Sequence, residues 1–244
     1  MKKALLIGNN YTGQPCALNG CINDITNIQN MLITNYGYRK INITMLQESN
    51  KQNTIIAINN LLTNAKKGDT LFFFYSGHGV QVPNPNGTTF DEAIYTVDGQ
   101  TITDDDFLNL LANKTNGATL IMIFDCCHSG DMCDLIHNMR YDGTHVGYWS
   151  QPTKELSDNI YVFSGCLDYQ TSSDASFIKP ETNQNICDGA FTYYLLQTLK
   201  ANNYKITNEN LLIGIYNGLK KGSFAQIPQF SCSLLNSFQN TFLT

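Results

Sequence analysis

The sequence predicts an α/β fold built on a mostly parallel central sheet of about six or more strands, with helices on both faces. Three observations predict it. Apolar, β-rich runs alternate along the chain with segments of helical period. Several of those runs are apolar on both faces, as strands covered by helices on each side must be. The 244 residues, 42% of them hydrophobic and 14% charged, suffice for one domain with a sizeable core.

The elements follow in order. "KALLIG" (3–8) predicts a buried strand. "GCINDITNIQNMLITNYG" (20–37) predicts a helix, because Cys21, Ile25, Ile28 and Leu32 recur at spacings of three and four. "INITML" (41–46) is the next strand, and the helix after it carries Ile55, Ile58 and Leu62 on one face. "DTLFFFYSGHG" (69–79) is a nearly continuous apolar strand ending in a glycine turn; "ATLIMIFD" (118–125) and "NIYVFSG" (159–165) are two more. One helix spans roughly 189–200 and another follows Thr207. The stretches 80–101, 131–158 and 166–188 read as irregular. Each follows a strand, where open α/β sheets place their binding sites.

Composition narrows the partners. The net charge is −5, and only Arg39 and Arg140 among the fifteen basic residues are arginines. No basic stripe is present, which argues against nucleic acid and against an anionic membrane. The N-terminal apolar run is five residues long, too short for a secretory signal, and no stretch reaches the length of a membrane span. Eight irregularly spaced cysteines, two of them adjacent, do not form a secreted disulfide framework. The expectation is a soluble, cytoplasmic monomer with reduced thiols.

Two strand ends carry the chemistry. His78 sits in "YSGHG" just past a strong strand, between glycines that let the backbone approach a ligand closely. The run "IMIFDCCHSG" (121–130) ends its own strand in the same way. A thiol is a weak nucleophile until an imidazole or another base takes its proton. Side chains two apart on a strand share a face, so Asp125 and Cys127 point one way and Cys126 the other. Ser76 and His78 pair by the same rule. If the faces meet, Cys127 and His78 form a dyad and Cys126 is a small core residue. Asp125 beside a thiolate raises the thiol's pKa. It either contacts a basic substrate side chain or caps the following turn.

Zinc is a competing use of Cys126, Cys127, His128 and Cys133, but adjacent cysteines without a second ligand pair fit it poorly. In "TITDDDFLNLL" (101–111), Thr103 predicts an N-cap with acids in the first turn. Three consecutive aspartates exceed what capping needs, and with "FDEAIYTVD" upstream they also suggest Ca²⁺.

These motifs together resemble the metacaspases, caspase-like cysteine peptidases. The resemblance runs through "ALLIGNNY", "GCINDITN", "FFFYSGHG", "FDEAIYTVD", "TDDDFLNLL", "FDCCHSG", "SGCLDYQTSSDAS", "GAFTYYLLQTLK" and "IPQFSCS", in the family's order and over nearly the whole chain. It implies a compact form of the family, without an N-terminal prodomain or long linker. The single caspase-like domain spans 1–244, with a large-subunit-like part to about 140 and a small-subunit-like part from about 158. By position it implies His78 and Cys127 as the catalytic pair and the N–H groups of Gly79 and Cys127 as oxyanion donors. Cys21, Asp24, Ser76 and Asp125 fall on the pocket for a basic P1 side chain. Asp91, Asp104, Asp105 and Asp134 fall on the calcium ligands. The implied activity is a calcium-stimulated cysteine endopeptidase acting on proteins or peptides after Arg or Lys. Self-cleavage in the linking segment would fall at Arg140 or Lys154. The rival from another class is a non-catalytic scaffold that binds partners through the same groove.

Overall fold

The first strand, β1 (Lys2–Gly8), is buried from Ala4 onward and runs into the loop that precedes helix α1 (Cys21–Tyr36). Helix α1 buries Cys21, Asp24, Ile25, Ile28 and Leu32 and stops at Gly37, which is left-handed. Then come β2 (Ile43–Gln47) and α2 (Lys51–Leu62), whose first turn is capped by Asn50 accepting from the Asn53 N–H at 2.8 Å. Strand β3 (Thr70–Ser76) is followed by β4 (Gly79–Pro83), β5 (Phe90–Tyr95), β6 (Thr101–Thr103) and α3 (Asp104–Leu111). The chain continues through β7 (Thr119–Asp125), β8 (His137–Tyr141), β9 (Val146–Ser150) and β10 (Asn159–Ser164). It ends with β11 (Asp174–Ile178), β12 (Asn185–Gly189), α4 (Ala190–Ala201), α5 (Asn208–Lys221) and β13 (Gln229–Cys232). This is a computed structural model; it describes residues 1–84, 90–111, 117–127, 132–133, 135–151, 159–166, 174–178 and 185–243.

Eight strands form the central sheet in the order β2-β1-β3-β7-β10-β13-β8-β9. The first five are mutually parallel, and β13, β8 and β9 add antiparallel at one side. The mostly parallel sheet expected from the apolar runs is present, and so is its helical cover. Alternation along β3 and β7 sends Phe72, Phe74, Ile121 and Ile123 into the layer under α1, α4 and α5. It sends Leu71, Phe73, Leu120, Met122 and Phe124 into the layer under α2 and α3. Phe72, Phe73 and Phe74 are all essentially inaccessible, and each contributes roughly 1.5–3 kcal/mol of burial energy that holds β3 at the centre.

The three stretches read as irregular contain strands. Within 80–101, β4 and β5 begin a three-stranded antiparallel sheet completed by β6. Within 131–158, β8 and β9 form a hairpin that widens the main sheet. Within 166–188, β11 pairs with β12. The reason differs by strand. β9 is exposed over most of its length, so it lacks the inside–outside alternation that marks a strand. β5 buries the acidic pair Asp91 and Glu92, so its pattern reads as polar.

Candidate active site

Strands β3 and β7 lie side by side in parallel register, with Ser76 opposite Asp125. The pairing continues one residue further, where the Gly77 N–H donates to the Asp125 carbonyl at 3.4 Å. Two residues past each strand end stand His78 and Cys127, both half-exposed. The main chain touches Cys127 at Gly79, the residue after His78. A Cβ placed on Gly79 would lie 1.9 Å from the Cys127 carbonyl oxygen and 3.1 Å from Cys126 Sγ. Glycine follows His78 because the Cys127 backbone fills the space a side chain would need. Alternation holds for Asp125, Ser76 and Cys126: Asp125 and Ser76 face the α1 and α4 side, while Cys126 is buried in the opposite layer with Met132, Cys133 and Leu135.

The His78 imidazole is oriented from the loop between β1 and α1. Its Nε2 lies 2.7 Å from the main-chain carbonyl of Cys16. A carbonyl only accepts, so Nε2 carries the proton and the neutral ring keeps its lone pair on Nδ1. The Tyr11 ring packs against the imidazole with centroids 4.7 Å apart.

Beside the two strand ends lies a buried acidic cluster. Asp24, Ser76, Cys21 and Asp125 are each less than 5% exposed. The Ser76 hydroxyl donates to Asp24 Oδ2 at 2.7 Å. The Gly189 N–H donates to both Asp24 oxygens at 3.0 and 3.1 Å. Asp125 Oδ2 accepts from the Thr192 N–H at 2.9 Å and from the Thr192 hydroxyl at 2.7 Å. A Cβ on Gly189 would lie 2.1 Å from Asp125 Oδ2 and 2.9 Å from Asp24 Oδ2, so both carboxylates close on one glycine at the start of α4. Burial first, and then the Asp125 carboxylate, hold the Asp24 carboxyl well above the ordinary carboxylate range; Asp188 adds to this, and the Ser76 and Gly189 bonds oppose it. No Lys or Arg stands within ion-pairing distance of Asp24 among the described residues. Asp125 caps the first turn of α4, 67 residues later, through Thr192.

The second acidic group lies where β5 and α3 meet. Thr103 caps α3 as expected: its hydroxyl accepts from the Asp106 N–H at 3.1 Å, and Asp106 Oδ2 accepts from the Thr103 N–H at 3.2 Å. Asp106 is thereby assigned to capping. Asp91 and Asp104 are buried and Asp105 is exposed beside them. Burial and the neighbouring Asp91 raise the Asp104 carboxyl, although it accepts N–H bonds from Asp105 and Glu92. Two buried carboxylates in mutual repulsion suit a hard divalent cation. Among the described residues no group of three or more ligands is close enough to hold one, and Asp134 lies outside them.

The zinc arrangement is not assembled among the described residues. Cys126 and Cys133 are buried in one layer, the alternation directs Cys127 to the other face, and His128 lies outside. Arg140 sits within β8, paired with Gln229 and Gly147 and stacked over the Trp149 ring at 5.5 Å. Cleavage there requires β8 to leave the sheet. Lys154 lies outside the described residues.

Sequence reasoning missed Thr192 and Gly189, which position the carboxylates of Asp125 and Asp24, and the Cys16 carbonyl, which orients His78. Thr192 and Gly189 fall in "GAFTYYLLQTLK", where spacing along the chain gives no link to Asp125. A main-chain carbonyl leaves no mark in sequence at all.

The metacaspase, peptidase C14 domain model matches residues 2–136. Metacaspase-1 of Pyricularia oryzae is 30% identical over 291 aligned positions, covering 95% of this chain and 72% of the relative. Metacaspase-1B of Aspergillus oryzae is 31% identical, covering 95% and 68%. Among solved structures, protein GSU0716 from Geobacter sulfurreducens superposes with a TM-score of 0.72 at 23% identity over 100% of this chain and 98% of its own. Caspase-1 from Spodoptera frugiperda gives 0.60 at 12% identity over 96% and 87%, and these two likenesses speak for the caspase-like fold. Fold, strand-end motifs and relatives agree: the chain belongs to the metacaspase family and is a cysteine-type peptidase.

Proposed function

We propose that the chain is an endopeptidase that cuts proteins or peptides after Arg or Lys, with Cys127 as nucleophile and His78 as general base and acid. One observation carries the reading: two buried carboxylates, Asp24 and Asp125, lie side by side at the same strand ends that bear His78 and Cys127. A cationic P1 side chain reaching them offsets their repulsion, whereas the acidic side chain that caspases take would add to it.

In the reaction, the Nδ1 lone pair of His78 accepts the Cys127 thiol proton and the sulfur attacks the scissile carbonyl. The N–H groups of Gly79 and Cys127, whose main chains are in contact, stabilise the oxyanion. The imidazolium gives its proton to the leaving amine and leaves a thioester. Water then attacks the thioester, losing its proton to His78, and frees the thiol. All these groups come from one chain, which supports action as a monomer. Seven of the eight cysteines are thiols outside any disulfide, which supports a reducing location such as the cytoplasm. Among the described residues no helix is long and apolar enough to cross a membrane.

The test is a scan of P1 residues in otherwise identical peptides, with Cys127→Ala as reference. Turnover confined to Arg and Lys is expected. Preference for Asp, or turnover by Cys127→Ala, overturns the assignment.

Calcium belongs to the same proposal. The buried pair Asp91 and Asp104 would hold it, with Asp105 and Asp134 as the further ligands the family resemblance implies, and the ion would supply positive charge to neutralise buried carboxylates away from the reacting atoms. Millimolar Ca²⁺ is expected to raise both the turnover rate and the unfolding midpoint of the native sequence, and to do neither in Asp104→Asn. A rate and a midpoint unchanged by calcium or by a chelator overturn it.

A further inference from the structure

Tyr11 and Tyr75 are fully buried, and their hydroxyls lie 2.9 Å apart directly beneath His78. The Tyr11 oxygen accepts from the His78 N–H at 2.9 Å, and its own hydrogen goes to the Tyr95 carbonyl at 2.6 Å. The Tyr75 hydroxyl lies 2.9 Å from the His78 carbonyl and 2.8 Å from that of Tyr95. The same His78 carbonyl accepts from the Tyr95 N–H at 2.9 Å. Both main-chain polar groups of His78 are therefore engaged by one phenol pair, and the Tyr11 ring also lies against the imidazole. Burial pushes both phenols up, so they remain neutral donors and acceptors at any working pH.

Two further observations point to the same arrangement. A Cβ on Gly77 would lie 2.6 Å from the Tyr75 hydroxyl and 3.0 Å from that of Tyr11. The first glycine of "SGHG" thus makes room for the phenol pair as the second makes room for Cys127. Tyr11 is also held in the left-handed region at φ 53°, a conformation rare for a bulky residue, with its N–H on Glu48 Oε2 at 2.9 Å.

We propose that Tyr11 and Tyr75 are positioning residues for the general base, a phenol clamp that fixes the His78 main chain so that its imidazole meets the Cys127 sulfur. This rests on His78 acting as the base. Neither phenol touches substrate; each acts through His78, and the effect belongs in kcat and in thiol reactivity more than in KM.

The experiment compares Tyr11→Phe, Tyr75→Phe, Gly77→Ala and His78→Ala with the unaltered protein. Tyr38→Phe is the control, because Tyr38 is a buried phenol whose hydroxyl has no partner among the described residues. Steady-state cleavage of a basic-P1 peptide is measured alongside the pH dependence of Cys127 alkylation by iodoacetamide, followed by peptide mass. For Tyr11→Phe, kcat is expected to fall roughly thirtyfold with KM within about twofold, and alkylation at neutral pH to slow toward the His78→Ala rate. Tyr38→Phe should match the parent in both. If Tyr11→Phe fails to fold, Gly77→Ala reads the same displacement from the other side. Native kcat and alkylation profiles in folded Tyr11→Phe and Tyr75→Phe, or in folded Gly77→Ala, overturn the clamp. His78→Ala at the parent rate overturns the general-base assignment itself, and the clamp with it.

Discussion

Asp125→Asn should lower kcat/KM for Arg and Lys peptides about a thousandfold while leaving the protein folded and its nucleophile reactive. Asn keeps the shape of Asp and one oxygen that can accept from the Thr192 N–H and hydroxyl, so the cap on α4 is retained. What disappears is the negative charge facing the incoming cation. Removing one partner of a buried charge pair costs about 4 kcal/mol, which corresponds to roughly three decades in the specificity constant. The loss is confined to cationic side chains, and peptides with a neutral P1 residue should change far less. Alkylation of Cys127 should be unchanged or slightly faster, since a neighbouring carboxylate disfavours the thiolate. An unfolding midpoint within a few degrees of the parent separates this from collapse of α4. An equal loss on neutral and basic peptides would mean that Asp125 only holds α4 in place.

Which residues of "FDCCHSG" share a face was predicted from a single rule, the two-residue period of a strand. It placed Asp125 and Cys127 together and Cys126 in the core, where the structure has it. The same rule paired Ser76 with His78. It did not supply the register between β3 and β7, because apolar runs of this kind accept several registers. That Ser76 lies opposite Asp125 emerges only once the sheet is assembled. The glycines around His78 were rightly singled out, but for a reason the structure revises: they admit the phenol pair and the Cys127 backbone, not only a ligand. β9 was invisible because an exposed edge strand has no apolar face to alternate with. Thr192 escaped notice because its partner is 67 residues away, and such pairings are written in topology.

The second large effect sets stability against function at Asp24. Folding raises this carboxyl, chiefly by burying it and then by placing Asp125 beside it. The native state therefore holds the Asp24 proton more tightly than the unfolded chain does. Between the ordinary carboxylate range and the raised folded value the native state binds more protons, so stability falls as pH rises through that window. Asn does not titrate, and it can still accept from the Gly189 N–H and donate to Ser76. Asp24→Asn is therefore expected to be the more stable protein at pH 7 to 8, by about 1–4 kcal/mol, or several degrees in unfolding midpoint. The difference should narrow as pH falls through that window and vanish below the ordinary carboxylate range, where Asp24 is neutral in both states. The same substitution should lower kcat/KM on Arg and Lys peptides about a hundredfold, because the cation loses one of its two carboxylates. Denaturant unfolding of both proteins at pH 4.5 and pH 8 decides the matter. A variant less stable than the parent at pH 8, or a difference that does not vary with pH, would mean that folding does not hold the Asp24 proton, and that there is no repulsion with Asp125 for a basic substrate to relieve.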